Sequence, residues 1–205
     1  RGRSKRLKNK NIKIFFGKPL IAYSILTAIK SNLFDEICVS TDSSKIANIA
    51  KKYGAKIPFL RPKKFSNDHA SDRDVINHYL EFSNSNKMKI DLLCYLYPTS
   101  PLVKVSTLKK CMKLLIRSKA SKVITISKFS YPIERSLKKN NLGNIVPKDK
   151  KFFKKRSQDL RTYYQDAAQC YWFNLKNNNF KNQRWSKTFA VELKQSEIQD
   201  IDTLE

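Results

Sequence analysis

Short apolar runs alternate with segments of helical spacing along the first 126 residues, and this rhythm restricts the fold more than any other feature of the chain. Leu20–Ser31 carries apolar residues at helical intervals, with Pro19 at its entrance as a first-turn proline. Residues 43–53, 72–83 and Val105–Ser118 share that spacing, and Gly54 supplies a left-handed stop for the first of them. Between the helices lie strand-like runs at 36–40, 56–60, Leu92–Leu96 and 122–126. The run LLCYL is apolar throughout, as a strand buried on both faces should be. A β-α-β-α order predicts an α/β fold: a mostly parallel sheet with helices on both faces. Right-handed crossovers then gather the loops that follow the strands, residues 40–42 and 97–101, along one edge. The rhythm breaks at Phe129. Residues 129–163 are polar, Lys-rich and turn-rich, and read as a protruding arm of a single domain spanning 1–205. Strand signal returns at 170–173 and at Thr188–Leu193.

The formal net charge of +25 raises the possibility of a nucleic-acid ligand. Its distribution argues against one. Basic residues occur throughout, and what varies is where acids are missing: residues 101–150 hold thirteen Lys and Arg against two acids. No helix-turn-helix, RNP sequence or zinc finger accompanies the charge, so a Lys-rich surface is the simpler reading. A true nucleic-acid binder would hold duplex at physiological salt with a steep salt slope, which separates the two readings. Cys38, Cys94, Cys111 and Cys170 lack CxxC spacing and read as buried thiols of a reducing cytoplasm. No apolar run approaches the ~20 residues of a membrane span.

Two segments carry candidate chemistry. The opening, from Arg1 to Asn11, contains Gly2, Ser4 and a crowd of cations that includes Lys5 and Lys10. Backbone N–H groups and cations together suit a polyphosphate, although the GxxxxGK[ST] spacing is absent. The same segment also reads as a solvated basic terminus. Near the end, Asp200 and Asp202 stand two apart, so on an extended stretch they point to one side. Two converging carboxylates suggest magnesium; a helix cap at Asp202 or Thr203 is the alternative. Asp42 follows a strand at the functional edge, where it could serve the site or cap the next helix. A cationic phosphate loop and a carboxylate pair in one α/β domain fit phosphoryl or nucleotidyl transfer.

The motifs RGxSKRxxxKN, FxGKPLIAYSI, VSTD, FLRP, PTSPL, YPIxRSL, RSQDL and QDIDT occur in that order from Arg1 to the C-terminus. In this order they resemble the cytidylyltransferases that activate acidic nine-carbon and eight-carbon sugars. YPIERSL with RSQDLRTYYQDAAQCYW looks most like the pseudaminate branch. The resemblance implies a Rossmann-like nucleotidyltransferase sheet with a small dimerisation lobe, and it places the family's first strand ahead of Arg1. It implies nucleotide-binding roles for Arg1, Ser4, Lys5, Lys10, Arg61, Thr99 and Ser100, with Arg1, Lys10, Asp200 and Asp202 as the catalytic residues and Lys10 beside the transferred α-phosphate. Arg156, Gln158, Asp166 and Gln169 match the segment that closes over the sugar, and Asp200 and Asp202 match a magnesium-binding pair. CTP, an acidic sugar and a second copy of the chain are the implied partners, with no membrane and no specific nucleic acid.

Departures from the family pattern bear on the sugar. Arg3 replaces the second loop glycine, Lys8 a common proline, and Tyr97 the glutamine of sialate enzymes. Where His-Asp-Ala-Gly-Gln is expected, the chain has Gln165-Asp166-Ala167-Ala168-Gln169. The implied mechanism is in-line attack of the anomeric hydroxyl on the α-phosphorus of CTP, with pyrophosphate leaving. Positioning and charge neutralisation dominate such a reaction. Sialate, legionaminate and 3-deoxy-octulosonate are the alternative sugars.

Overall fold

A computed structural model describes Gly2, residues 7–176, Phe180, residues 185–199 and Ile201. Four helices form where the apolar spacing puts them: α1 (Leu20–Ser31), α2 (Ser44–Lys52), α3 (Asp72–Ser85) and α4 (Val105–Ser118). Ser43 caps α2 by accepting from the Ile46 amide, and Ser71 with Asp74 closes a capping box on α3. Gly54, at φ 95°, follows α2 as the left-handed stop. Among the described residues no helix is long and apolar enough to cross a membrane.

The strands are β1 (Ile14–Phe15), β2 (Lys18–Pro19), β3 (Leu92–Leu96), β4 (Lys122–Lys128), β5 (Leu137–Lys139), β6 (Ile145–Pro147), β7 (Tyr164–Asn174) and β8 (Thr188–Leu193). The central sheet has the order β3-β7-β4-β8. Strands β3, β4 and β8 run one way; β7 is inserted antiparallel between β3 and β4. The period of two sorts the sheet's faces. Leu92, Cys94, Leu96, Cys170 and Trp172 pack with α4 through Leu108, Cys111 and Leu115. Leu93, Tyr95, Tyr171 and Phe173 turn the other way, onto Ile76 of α3. Phe34 stacks on the buried Trp172, with ring centroids 5.3 Å apart. A separate cluster joins Ile21 and Ile25 of α1 to Ile46 and Ala50 of α2.

Three expectations need correction. Residues 36–40 and 56–60 are extended but make only the isolated parallel bridges Cys38–Lys56 and Thr41–Leu60, without a ladder. Strand β3 is half-buried along its length, not buried on both faces. Among the described residues it pairs on its β7 side only, and its other side borders a groove of about 660 Å³ with residues 33–41 across from it. Third, only Cys111 and Cys170 are fully buried, with their sulfurs 3.8 Å apart. Cys38 and Cys94 are half-buried, and burial together with its bond to Glu36 pushes the Cys38 thiol up to about 12.

Residues 129–163 lie between β4 and β7, outside the central sheet. The arm holds the exposed β5–β6 hairpin, turned by Gly143, and is closed at its base by the Phe129 amide on the Tyr163 carbonyl at 3.0 Å.

Candidate active site

The edge that gathers the loops is held together by hydrogen bonds between segments far apart in sequence. The Gly2 amide donates to Asp42 Oδ1 at 2.7 Å, bringing the start of the chain onto the residue before the α2 cap. A Cβ on Gly2 would stand 2.8 Å from Ser43 Cβ, so only glycine approaches this closely. Asp42 is therefore not the α2 cap, which Ser43 provides; it holds the Gly2 amide. Residues Lys10–Ile12 form a 3-10 turn, with Lys10 half-buried, and Asn11 reaches the rim of the groove. The Arg61 amide donates to the Thr41 carbonyl at 2.8 Å, and its Nε donates to Ser66 Oγ at 3.1 Å. Arg61 is thereby a buried cation in the groove wall.

Loop 97–101 is the centre of the arrangement. Ser24 of α1 donates to the Tyr97 carbonyl at 2.9 Å, and the Tyr97 amide donates to the Gln169 carbonyl at 3.3 Å. Ser100 Oγ donates to the Ala168 carbonyl at 2.6 Å. The Ile201 amide donates to the Thr99 carbonyl at 3.3 Å, which docks the segment between positions 200 and 202 on this loop. Gln169, wholly buried, spends its Nε2 on the Glu197 carbonyl at 2.5 Å. Lys104, the residue before α4, pairs with Glu197 at 2.6 Å and holds that carboxyl below the usual range. One loop thus joins α1, β7 and the 195–201 segment.

The candidate residues divide accordingly. Thr99, Ser100, Asp166 and Gln169 are brought together, although Ser100 and Gln169 face inward and support the backbone. Arg156 and Gln158 lie on the arm, where Arg156 Nε pairs with Asp159 Oδ2 at 2.9 Å, and no described contact joins them to Asp166 or Gln169. Arg1, Ser4, Lys5, Asp200 and Asp202 lie outside the described residues. Among the described residues no group of three His, Cys, Asp or Glu could hold a metal.

Sequence reasoning missed a cluster on the α3 face. Tyr95 Oη donates to Asp72 Oδ1 at 2.8 Å, Tyr97 Oη donates to Asp72 Oδ2, and Tyr171 Oη donates to Asp166 Oδ2 at 2.9 Å. Burial, reinforced by the neighbouring carboxylates, raises all three phenols above their ordinary value, so they stay protonated donors. The only sequence signal was the tyrosine pair two apart across the end of LLCYL.

Ala168 adopts φ 49°, a left-handed conformation that strains a residue with a Cβ. Ala168→Gly is expected to stabilise the fold by about 0.5–1 kcal/mol, the relief of strain exceeding the entropy glycine gains in the unfolded chain. A rise in Tm of about 1–4 °C in calorimetry checks this; an unchanged or lower Tm contradicts it.

At the end of a mixed sheet, the loop regions and Gly2 are thus held beside a groove of an α/β protein. The family model described as Cytidylyltransferase matches residues 1–205, and the chain belongs to that family. It is 38% identical over 208 residues to a pseudaminic acid cytidylyltransferase of Campylobacter jejuni subsp. jejuni serotype O:23/36 (strain 81-176), covering all of this chain and 89% of that protein. It is 35% identical to a CMP-N,N'-diacetyllegionaminic acid synthase of Legionella pneumophila over 71% of this chain and 62% of that one. The solved structure of a CMP:2-keto-3-deoxy-manno-octonic acid synthetase complexed with CTP superposes with a TM-score of 0.68 at 15% identity. That superposition covers 98% of this chain and 90% of the other, and it supports the fold.

Proposed function

We propose that the chain transfers CMP from CTP to the anomeric hydroxyl of an acidic nonulosonic sugar, pseudaminate before sialate, legionaminate or 3-deoxy-octulosonate, with release of pyrophosphate. The observation that carries the reading is the full-length similarity to a pseudaminic acid cytidylyltransferase, at 38% identity. In the geometry, loop 97–101 is tied to β7 through the Ala168 and Gln169 carbonyls and to Ile201 through the Thr99 carbonyl, while Gly2 is held by Asp42. The test is pyrophosphate release with CTP, magnesium and a panel of acidic sugars. Pseudaminate turning over best supports the assignment; no release with any of them defeats it.

In this reading the basic opening loop and Arg61 neutralise the triphosphate, and Lys10 stands beside the transferred phosphate. The protein's work is to place the sugar hydroxyl in line with the leaving pyrophosphate and to hold fixed charge where negative charge develops. Asp200 and Asp202 would hold magnesium. The hydrogen bond of the Ile201 amide to the Thr99 carbonyl supports that role, because Thr99 is itself a nucleotide candidate. When bound, the metal supplies charge neutralisation at the phosphates and acidifies an attacking hydroxyl. Asp166 and the arm residues Arg156 and Gln158 then receive the sugar, in the cytoplasm.

The arm also serves subunit contact. Tyr131, Leu142, Ile145 and Val146 are all exposed on it, a concentration of apolar side chains that water does not favour. Small-angle scattering is expected to return about twice the 23.9 kDa chain mass. A strict monomer with full activity would sink this assignment.

A further inference from the structure

Asp166 and Tyr171 are five residues apart on β7, and in a regular strand an odd separation would send them to opposite faces. They nevertheless meet. Tyr171 pairs with Ile124 of β4 and Asp166 with Ile126, so five steps on β7 are matched by two on its neighbour. The surplus residues form a bulge around left-handed Ala168. The bulge gives Asp166 and Tyr171 the relation of neighbours two apart, on the α3 face and within hydrogen-bond reach.

Three bonds pin the turn: Ser100 Oγ to the Ala168 carbonyl at 2.6 Å, the Ala168 amide to Asp166 Oδ1 at 2.9 Å, and Tyr171 Oη to Asp166 Oδ2 at 2.9 Å. Both oxygens of Asp166 are therefore fixed while the residue stays exposed, and each keeps a lone pair for a ligand. The rings of Tyr97 and Tyr171 stand edge to face at 5.6 Å, and Tyr97 and Tyr95 share Asp72 at the start of α3.

We infer that Tyr171 is a positioning residue for the sugar: it locks the Asp166 carboxylate so that it accepts from an N–H or O–H donor of the acidic sugar, with the Tyr97 and Tyr171 rings walling that subsite. A carboxylate repels the sugar's own acid group, so the contact selects the donor-bearing part of the ring substituents. This inference rests on the proposed reaction and deepens it by naming the recognition chemistry.

Tyr171→Phe keeps the ring and removes only the hydroxyl, freeing Asp166 to rotate. The expected result is a rise of about ten- to hundredfold in KM for the sugar, in the range of one charge-assisted hydrogen bond. The kcat and the KM for CTP should stay within twofold. In an Asp166→Ala background the same substitution should change nothing further. An N-acylated sugar and amide-free 3-deoxy-octulosonate distinguish the donor: loss confined to the former assigns an acylamino N–H, equal loss on both a hydroxyl.

Sugar affinity is also read by calorimetry with CDP present, so the effect stays measurable without turnover. A parent that binds acidic sugar but transfers nothing refutes the reaction and leaves the Kd ratio to judge Tyr171. A ratio within twofold, an equal loss toward CTP, or a parent that binds no acidic sugar overturns the inference.

Discussion

Asp200→Asn and Asp202→Asn are each expected to cut kcat by about 10²–10³ in saturating magnesium, the scale of losing one preorganised charge partner of the transition state. The amide keeps the shape and hydrogen bonding of the carboxylate and removes only its charge. Because two converging anions repel without a cation, the melting temperature should hold or rise slightly. The observation behind this is the Ile201 amide on the Thr99 carbonyl, which fixes the residue between the two aspartates on the loop that also contacts β7. A helix cap at Asp202 predicts the opposite pattern, a stability loss of about 1 kcal/mol with activity spared. Steady-state kinetics across a magnesium titration, set beside thermal melts, separates the two. If Asp202→Asn melts early and turns over normally, the metal site lies elsewhere.

Lys10→Ala should be nearly as damaging, lowering kcat/KM by about 10²-fold or more through loss of a cation at the transferred phosphate. Lys10 sits in the 3-10 turn Lys10–Ile12, whose backbone is tied back by its own amide on the Leu7 carbonyl at 3.1 Å. That turn packs beside α1 and α2, so the lysine is carried on a braced segment and not on a loose terminus. Pyrophosphate release measured against CTP concentration checks it, and turnover within twofold of the parent would remove Lys10 from the catalytic group. Lys10→Arg keeps the charge on a longer, planar head. It should recover only part of the loss, because a fork does not replace a point charge.

Much of the architecture was legible before any coordinates. Leu20–Ser31, Leu92–Leu96, Val105–Ser118 and Thr188–Leu193 carry their period in their own residues, and the structure keeps those bounds. Helical and strand periods are local properties, set by which side of each element must be dry. The Ser43 cap and the Gly54 stop are local for the same reason. The order of the motifs likewise carried the family, because each is a short run that can be read alone. Segments 36–40 and 56–60 have the apolar character of strands. Pairing is not local, and the structure gives them only two bridges.

What tertiary structure alone decided is how distant residues meet. Nothing in the spacing of Asp166 and Tyr171 announces a contact, since five residues of strand should separate them to opposite faces. The β7 bulge reverses that, and it depends on β4 setting two steps against five and on Ser100 arriving from another loop. The inward turn of Ser100 and Gln169 was hidden for a related reason. A polar side chain in a motif reads as a ligand contact, and only burial shows that its hydrogen bonds go to the Ala168 and Glu197 carbonyls. Sequence by itself determined the elements and the family, because periodicity and motifs are written in neighbouring residues; the geometry around Asp166 was settled by long-range hydrogen bonds, whose partners no local pattern names.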